Sequence, residues 1–239
     1  MNVKLISHTQ LSTEFKKYLK GFSENEPDGK LLALTAIRTC YSPNKPSEII
    51  KKEGQRYLKA KAADGKEGTD ADRLIRMIVS SGHTSTLEGV SFNFAIEGVS
   101  RALLAQLTRH RVGFSFSVQS QRYVRFGSDD KSGGFGYVVP KSVSDKGKAD
   151  IFIEAMSLAQ SAYDRLRKVG VPAEDARMVL PQAATTNLVM TANLRALLDF
   201  YGKRRAGKGA QAEIAELAEN LRKAVAEVEP WTDVFFERA

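Results

Sequence analysis

The 239-residue sequence contains one cysteine, Cys40, so neither a disulfide framework nor an all-cysteine metal site can form within it. Histidine is scarce: His8, His83 and His110 show no HxxxH or HxH spacing, which argues against a zinc centre. His83 and Glu88 in GHTSTLEG are read as hydrogen-bonded loop residues, and no bound metal is expected. No apolar stretch is long enough to span a membrane. The nearest, 178–194, carries Pro181, Gln182, Asn187, Asn193 and three threonines, which hydrocarbon tolerates only when partnered, so it reads as protein interior. The opening MNVKLISHTQ lacks the apolar core of a secretory signal. These absences together predict a soluble protein of a reducing compartment, the cytoplasm.

Several functional loops are missing too. No G-x-G-x-x-G follows a strand, no G-x-x-x-x-G-K-[ST] occurs, and no G-x-S-x-G surrounds Ser120. A dinucleotide-binding Rossmann unit, a P-loop and a serine-hydrolase elbow are therefore excluded as explanations. Cys40, in RTCYS, has no visible base partner and is read as a small buried residue rather than a nucleophile.

What the chain does have is positive charge and a full complement of apolar residues. Thirty-six Lys and Arg against 28 Asp and Glu leave a formal +8, which favours an anionic partner such as phosphate or nucleic acid. With 42% hydrophobic residues, the chain can build the core of one domain or of two small ones.

The first third reads as mostly helical, with a helix over 31–38 after the Pro27–Gly29 turn. A second is opened by a Thr69/Asp72 capping box, runs through Val79 and is closed by Gly82. Val90, Phe92, Phe94 and Ile96 alternate with small or polar residues as a one-sided strand does. Val99, Leu103 and Leu107 then recur every four residues, predicting a helix from Ser100 to Arg111. Further along, 121–126 reads as extended, 128–136 as a mobile surface loop and 141–148 as a soft connection. A helix is expected over 151–169, another beginning near Pro172, and a short buried strand over 185–191. Asn193 suits the cap of a helix with Leu194, Leu197, Leu198 and Tyr201 on one face. The stripe of Ile214, Leu217, Leu221, Val225 and Val228 marks a final helix whose apolar face serves core or subunit interface.

The chemistry concentrates in RALLAQLTRHRVGFSFSVQSQRYVR, residues 101–125, where six basic groups alternate with amides, hydroxyls and aromatics. On a continuous helix, Gln106 would share a surface with Arg109 and His110, offering donors to an anionic or amide-rich ligand. Phe114 to Tyr123 reads more like a pocket lining than a solvated face. Arginine pairs bind phosphate bidentately without a glycine loop, and Arg101, Arg109, Arg111, Arg122, Arg177, Arg195, Arg204 and Arg205 are available.

This segment resembles the signature of the flavin-dependent thymidylate synthases: RHR, a short spacer, then a serine and arginine, here RHRVGFSFSVQSQRY over 109–123. The likeness extends through GHTSTLE, SRALLAQLTRHR, ARMVLP, TANLRALLDF and AQAEI, covering most of 33–221. The spacer 112–119 is one residue longer than the family's usual seven, which implies an insertion near Gly113. The resemblance implies a single α+β domain over 1–239, with a mixed, mostly antiparallel sheet flanked by helices, assembled as a homotetramer whose sites are shared between subunits. It implies conversion of dUMP to dTMP with methylenetetrahydrofolate as carbon donor, FAD as redox carrier and NADPH as reductant. No cysteine attacks the uracil in that chemistry.

Carried over position by position, the resemblance assigns FAD contacts to Cys40, Ser85, Arg109, His110, Arg111, Val118, Asn193, Arg195 and Asp199. Asp199, where the family often has histidine or asparagine, would need a cation such as Arg195 one turn back. The dUMP positions are Gln106, Arg109, Val118, Gln119, Ser120, Gln121, Arg122, Arg177 and Arg204. The arginine that activates the pyrimidine is Arg204 counting from Asn193 and Arg205 counting back from Ala210; Arg204 is favoured. A basic nucleic-acid-binding protein, with 101–125 as a stacking surface, is the rival from another class. Nucleic acid and membrane are not expected partners.

Overall fold

The alternating apolar residues at 90–96 set the architecture, because they put one face of a strand against a core that helices must then cover. Phe92, Phe94, Ile96 and Val99 are all fully buried on that face. The computed structural model describes residues 1–21 and 26–238, the side chain of Arg238 excepted. In chain order it runs β1 (Asn2–His8), α1 (Thr13–Tyr18), α2 (Asp28–Tyr41), α3 (Ile49–Gly54), α4 (Asp70–Ser80), β2 (Ser91–Ser100), α5 (Arg101–Leu107) and β3 (Phe114–Val118). It continues through α6 (Lys141–Asp145), α7 (Ala149–Lys168), α8 (Ala173–Ala176), β4 (Thr185–Asn193), α9 (Leu194–Arg204), α10 (Ala212–Val228) and α11 (Asp233–Arg238).

The class is α+β, as expected, but the four-stranded sheet, ordered β1-β2-β4-β3, is antiparallel at every pairing rather than mixed. Strand β1 lies in the first third, which was read as mostly helical and where no strand was named; Val3 and Leu5 face the core, and a bulge between Leu5 and Ser7 interrupts the alternation. Strand β4 extends to Asn193 and is half-buried: Thr186, Leu188, Met190 and Ala192 face inward while Val189 is exposed. Strand β3 occupies what was read only as a pocket lining, with Phe114 and Phe116 packed on the core and Ser115 and Ser117 outward.

Helix ends follow their side-chain chemistry. The capping box forms, with Asp72 accepting from the Thr69 N–H at 2.7 Å. Asp72 also pairs at 2.9 Å with the ammonium of Lys30, a nearly buried cation that Glu26 neutralises from its other side at 3.0 Å. Asn193 caps α9, its Oδ1 accepting from Ala196 N–H at 2.9 Å. Ser100 caps α5, its Oγ accepting from Leu103 N–H at 3.0 Å. The same serine donates its N–H and O–H to the two carboxylate oxygens of Glu213, at 2.8 and 2.6 Å. Helix α5 stops at Leu107, four residues short of expectation, and Thr108 closes it with both its N–H and its hydroxyl donating to the Leu104 carbonyl. Ile214, Leu217, Leu221 and Val225 of α10 are core residues.

A satellite core of Phe126, Phe135, Met156 and Tyr163 lies under α7. It holds the 128–136 segment more firmly than its composition predicts. Asp164 accepts from the backbone and hydroxyl of Ser128, and Gln160 bridges Phe135 N–H and the Phe126 carbonyl at 2.9 and 2.8 Å. Residues 121–124 form a turn instead of an extended run, and the soft connection at 141–148 contains α6. No helix among the described residues is long and apolar enough to cross a membrane.

Ser100→Ala removes a buried cap and one donor to Glu213, and is expected to lower unfolding free energy by about 1–2 kcal/mol. Urea denaturation measures it; an unchanged midpoint would mean that Glu213 and solvent replace the hydroxyl.

Candidate functional site

Because α5 ends early, Arg109, His110 and Arg111 lie on a turn beyond it rather than on a helical face. Arg109 and Arg111 are exposed, whereas His110 is half-buried against the edge of Phe200, at 4.9 Å between ring centroids, and beside Phe114 at 6.0 Å. Its Nε2 accepts a 3.0 Å hydrogen bond from Nε of Arg204. Burial, and the neighbouring charges of Arg204, Lys203 and Arg109, push the imidazole below its ordinary range, with only Asp199 opposing them. His110 is therefore a neutral acceptor at pH 7. Arg205 turns the other way and donates to the Glu237 carbonyl at 3.3 Å.

Next to this turn lies a cleft of about 730 Å³, floored by β4 and α9 and walled by 84–88, 112–113 and Phe235. Asn193, Arg195 and Asp199, the cap and first turns of α9, all line it, so three expected cofactor positions share one wall. The pairing inside it differs from expectation: Asp199 accepts from Lys203 at 2.8 Å, and Arg195 pairs with Glu88. Asp199 is thus neutralised by the next turn rather than by the previous one. Ser85 is exposed in the turn beside Thr84, which lines the cleft. Cys40 is exposed at the end of α2, contrary to its reading as a buried residue, with Sγ 3.6 Å from the Ala36 carbonyl. Tyr41, its neighbour, meets His83 Nδ1 at 3.2 Å, and no group of three metal-ligating side chains forms among the described residues.

The cleft passes a test for a large ring-and-phosphate ligand. Its volume is in the range of small-molecule sites, it mixes Val79, Val112, Leu198 and Phe235 with the Asn193 amide and two cations, Arg195 and Lys203, each paired with a carboxylate a phosphate would have to displace, and its lip is a glycine. Gly113 has φ of +75°, and a Cβ there would lie 2.7 Å from Ala196 Cβ and 2.8 Å from the Asn193 amide. A side chain would fill the cradle.

A second constellation lies at the far end of β3. Val118 ends the strand, and Gln119 N–H donates to the Asn187 carbonyl at 2.8 Å. The Asn187 side chain accepts from Gly98 N–H at 2.9 Å, tying the bulge of β2 to this segment. Ser120 Oγ accepts from Arg122 N–H at 3.2 Å, and Gln121 is buried. Arg122 pairs with the Glu174 carboxylate, while Arg177 Nε donates to the Glu174 carbonyl at 2.9 Å. Arg101, which the sequence offered only as one available cation, is half-buried, and burial and the Arg177 charge both hold it below the usual guanidinium range. Arg101 and Arg177 are thus close enough for their charges to repel, a concentration of positive charge whose chemistry suits an anion. Gln106 donates to Gln211, the residue preceding α10, at 2.6 Å.

The sequence pattern of a family described as thymidylate synthase complementing protein matches residues 23–231. The flavin-dependent thymidylate synthase of Geobacter sulfurreducens is 42% identical over 208 residues, 87% of this chain and 82% of that protein. That of Clostridium tetani is 35% identical over 224 residues, with the same two coverages. Among solved structures, the UMP/dUMP methylase PolB of Streptomyces cacaoi bound with 5-Br dUMP superposes with a TM-score of 0.71 at 22% identity. That alignment covers 99% of this chain and 94% of the other, and the fold is the shared feature.

Two outcomes are expected from this geometry. For His110, whose folded value is depressed, the stabilisation is complete above the unfolded value of about 6.5 and is lost as pH falls through the lower folded value. Unfolding free energy measured at pH 7.5 and 5.5 should therefore drop more for the unaltered protein than for His110→Gln; equal drops would show that the imidazole carries no linkage. Gly113→Ala, strained by its φ and clashing with Ala196, should cost about 1–3 kcal/mol in urea titration and close the lip of the cleft.

Proposed function

Starting from the membership of this chain in the thymidylate synthase complementing family, the flavin-dependent thymidylate synthases, we propose that it methylates dUMP to dTMP, using FAD, with methylenetetrahydrofolate as carbon donor and NADPH as reductant. The observation that carries the reading is the hydrogen bond from Arg204 to His110, which joins the end of α9 to the RHR turn beside the cleft. A basic, amide-rich turn and an apolar-walled cleft thus adjoin one arginine.

In this reading the chain's residues divide the work by position. The cleft, lined by Asn193, Arg195 and Asp199, holds FAD; the RHR turn, with Arg109, His110 and Arg111, precedes its 112–113 wall in the chain, and Cys40, Ser85 and Val118 contribute from outside its lining. Bound flavin supplies the redox chemistry. Arg122 and Arg177 take the dUMP phosphate, releasing Glu174, while Arg101 adds charge behind them. Backbone and amide groups of 118–121, with Gln106 and Arg109, orient the nucleotide. Arg204, held by neutral His110, directs its remaining N–H groups at the pyrimidine and stabilises negative charge developing across its carbonyl edge. Arg205, engaged with the Glu237 carbonyl, is the weaker candidate. Residues 1–239 act as one catalytic domain in a cytoplasmic homotetramer, with sites completed between subunits.

The first test is the visible spectrum of the purified protein, followed by NADPH oxidation with and without dUMP. A flavin band with dUMP-stimulated oxidation is expected; a protein that stays colourless after incubation with FAD refutes the reading. Arg204→Ala should keep the flavin band and lose about 100-fold or more of dTMP formation, with Arg205→Ala within a few-fold of the parent. The reverse pattern would assign activation to Arg205. A fully active monomer by light scattering would remove the tetramer.

A further inference from the structure

The bulge in β2 sets two residues, Glu97 and Gly98, opposite the single residue Asn187, because Ile96 pairs with Leu188 and Val99 with Thr186. Gly98 has φ of +68° with nothing within 4 Å of where a Cβ would stand, so the glycine serves the path of the bulge rather than space. Asn187 answers the bulge with its side chain, Oδ1 accepting from Gly98 N–H at 2.9 Å. A backbone N–H can only donate, so the atom facing it is the amide oxygen; turning the amide would set its NH2 group against that N–H. The other arm of the amide, Nδ2, therefore carries the protons, and it lies 3.3 Å from Oε1 of Gln119. The main chain ties the same pair, with Gln119 N–H donating to the Asn187 carbonyl at 2.8 Å. Polarity passes one way, from a fixed backbone donor through Asn187 to Gln119. Both Nε2 protons of Gln119 are left without a partner among the described residues.

We infer that Asn187 is a positioning residue for the nucleotide: by holding Oε1 of Gln119 it points the Gln119 NH2 group at the ligand and selects for a hydrogen-bond acceptor there. The inference rests on the reading of Gln119 as part of the dUMP site. dUMP carries such acceptors in its pyrimidine carbonyls and in its phosphate. Asn187 lies outside the signature segment, on the strand that β2 and β3 both pair with, so the sheet decides the polarity of a side chain that the motif supplies.

Asn187→Asp tests this with the bulge intact, since one carboxylate oxygen still accepts from Gly98 while the other opposes Gln119 Oε1 and should turn that amide around. The dUMP KM is expected to rise about tenfold, with kcat at saturating dUMP, the flavin spectrum and the urea midpoint near parental values. The new negative charge would also repel dUMP directly, so the same change is made in a Gln119→Ala background, where it should add less than about twofold. Gln119→Ala alone should raise KM several-fold. Persistence of the full rise in that background overturns the inference, as does a parental KM in either single variant. Competition by inorganic phosphate and by deoxyuridine locates the acceptor: whichever loses about tenfold in the aspartate variant carries it, and a loss in neither overturns the inference. Failure of the underlying reading looks different: the unaltered protein would show no dUMP-dependent oxidation at all.

Discussion

Strand β4 is hydrogen-bonded along both edges, to β2 on one side and β3 on the other, and the segments leading into α5, β3 and α9 are positioned through it. Antiparallel pairing sets Asn193 opposite Ser91 and Thr185 opposite Ser100, so the chain leaves β4 into α9 at one end of the sheet and leaves β2 into α5 at the other. Pairing of β3 in the register Phe114 to Ala192 brings the residues after RHR alongside the start of α9. Remove that double pairing and Arg204 and His110, 94 positions apart, have no reason to meet.

Around this strand the capping chemistry works as a set of fixed stops. Asn193 and Ser100 each end a strand and begin a helix with a side-chain oxygen that satisfies an otherwise orphaned N–H. Such junctions fix where a helix starts, and hence which residues its last turn delivers. For α5 the delivered residues are Thr108 and the RHR turn; for α9 they are Lys203 and Arg204, the former neutralising Asp199 and the latter meeting His110. Cations at the C-terminal end of α9 also suit its dipole.

The sequence made visible whatever depends on local periodicity. Strand β2, the Thr69 capping box, the Asn193 cap and the apolar stripe of α10 are all written in patterns a few residues long. Strand β1 was hidden because the bulge after Leu5 breaks its alternation, and β3 because FSFSV has the alternation of a strand as well as the composition of a pocket lining. The early end of α5, which periodicity does not register, lies where the ladder changes after Thr108, with His110 N–H bonding the Leu107 carbonyl three residues back instead of the fourth. Within the site, the residue types came from the motif, but their partners are long-range: Arg195 with Glu88, Arg122 with Glu174, Gln106 with Gln211. Partners of that separation are set by topology, so a pattern that pairs Asp199 with Arg195 misses that Arg195 turns to Glu88 instead.

The extra residue in the signature spacer bears on how this motif tolerates change of length. Along a strand, inserting one residue exchanges the two faces beyond it; here that would drive Ser115 and Ser117 into the core and turn Phe114 and Phe116 out. Gly113 lies in the turn before β3, where left-handed backbone takes up the added length as a change of path. In this chain the strand begins one residue after that glycine with Phe114 and Phe116 inward. A residue added at such a turn alters the path of the chain and leaves the faces of the strand as they are, whereas one added within FSFSV would exchange them.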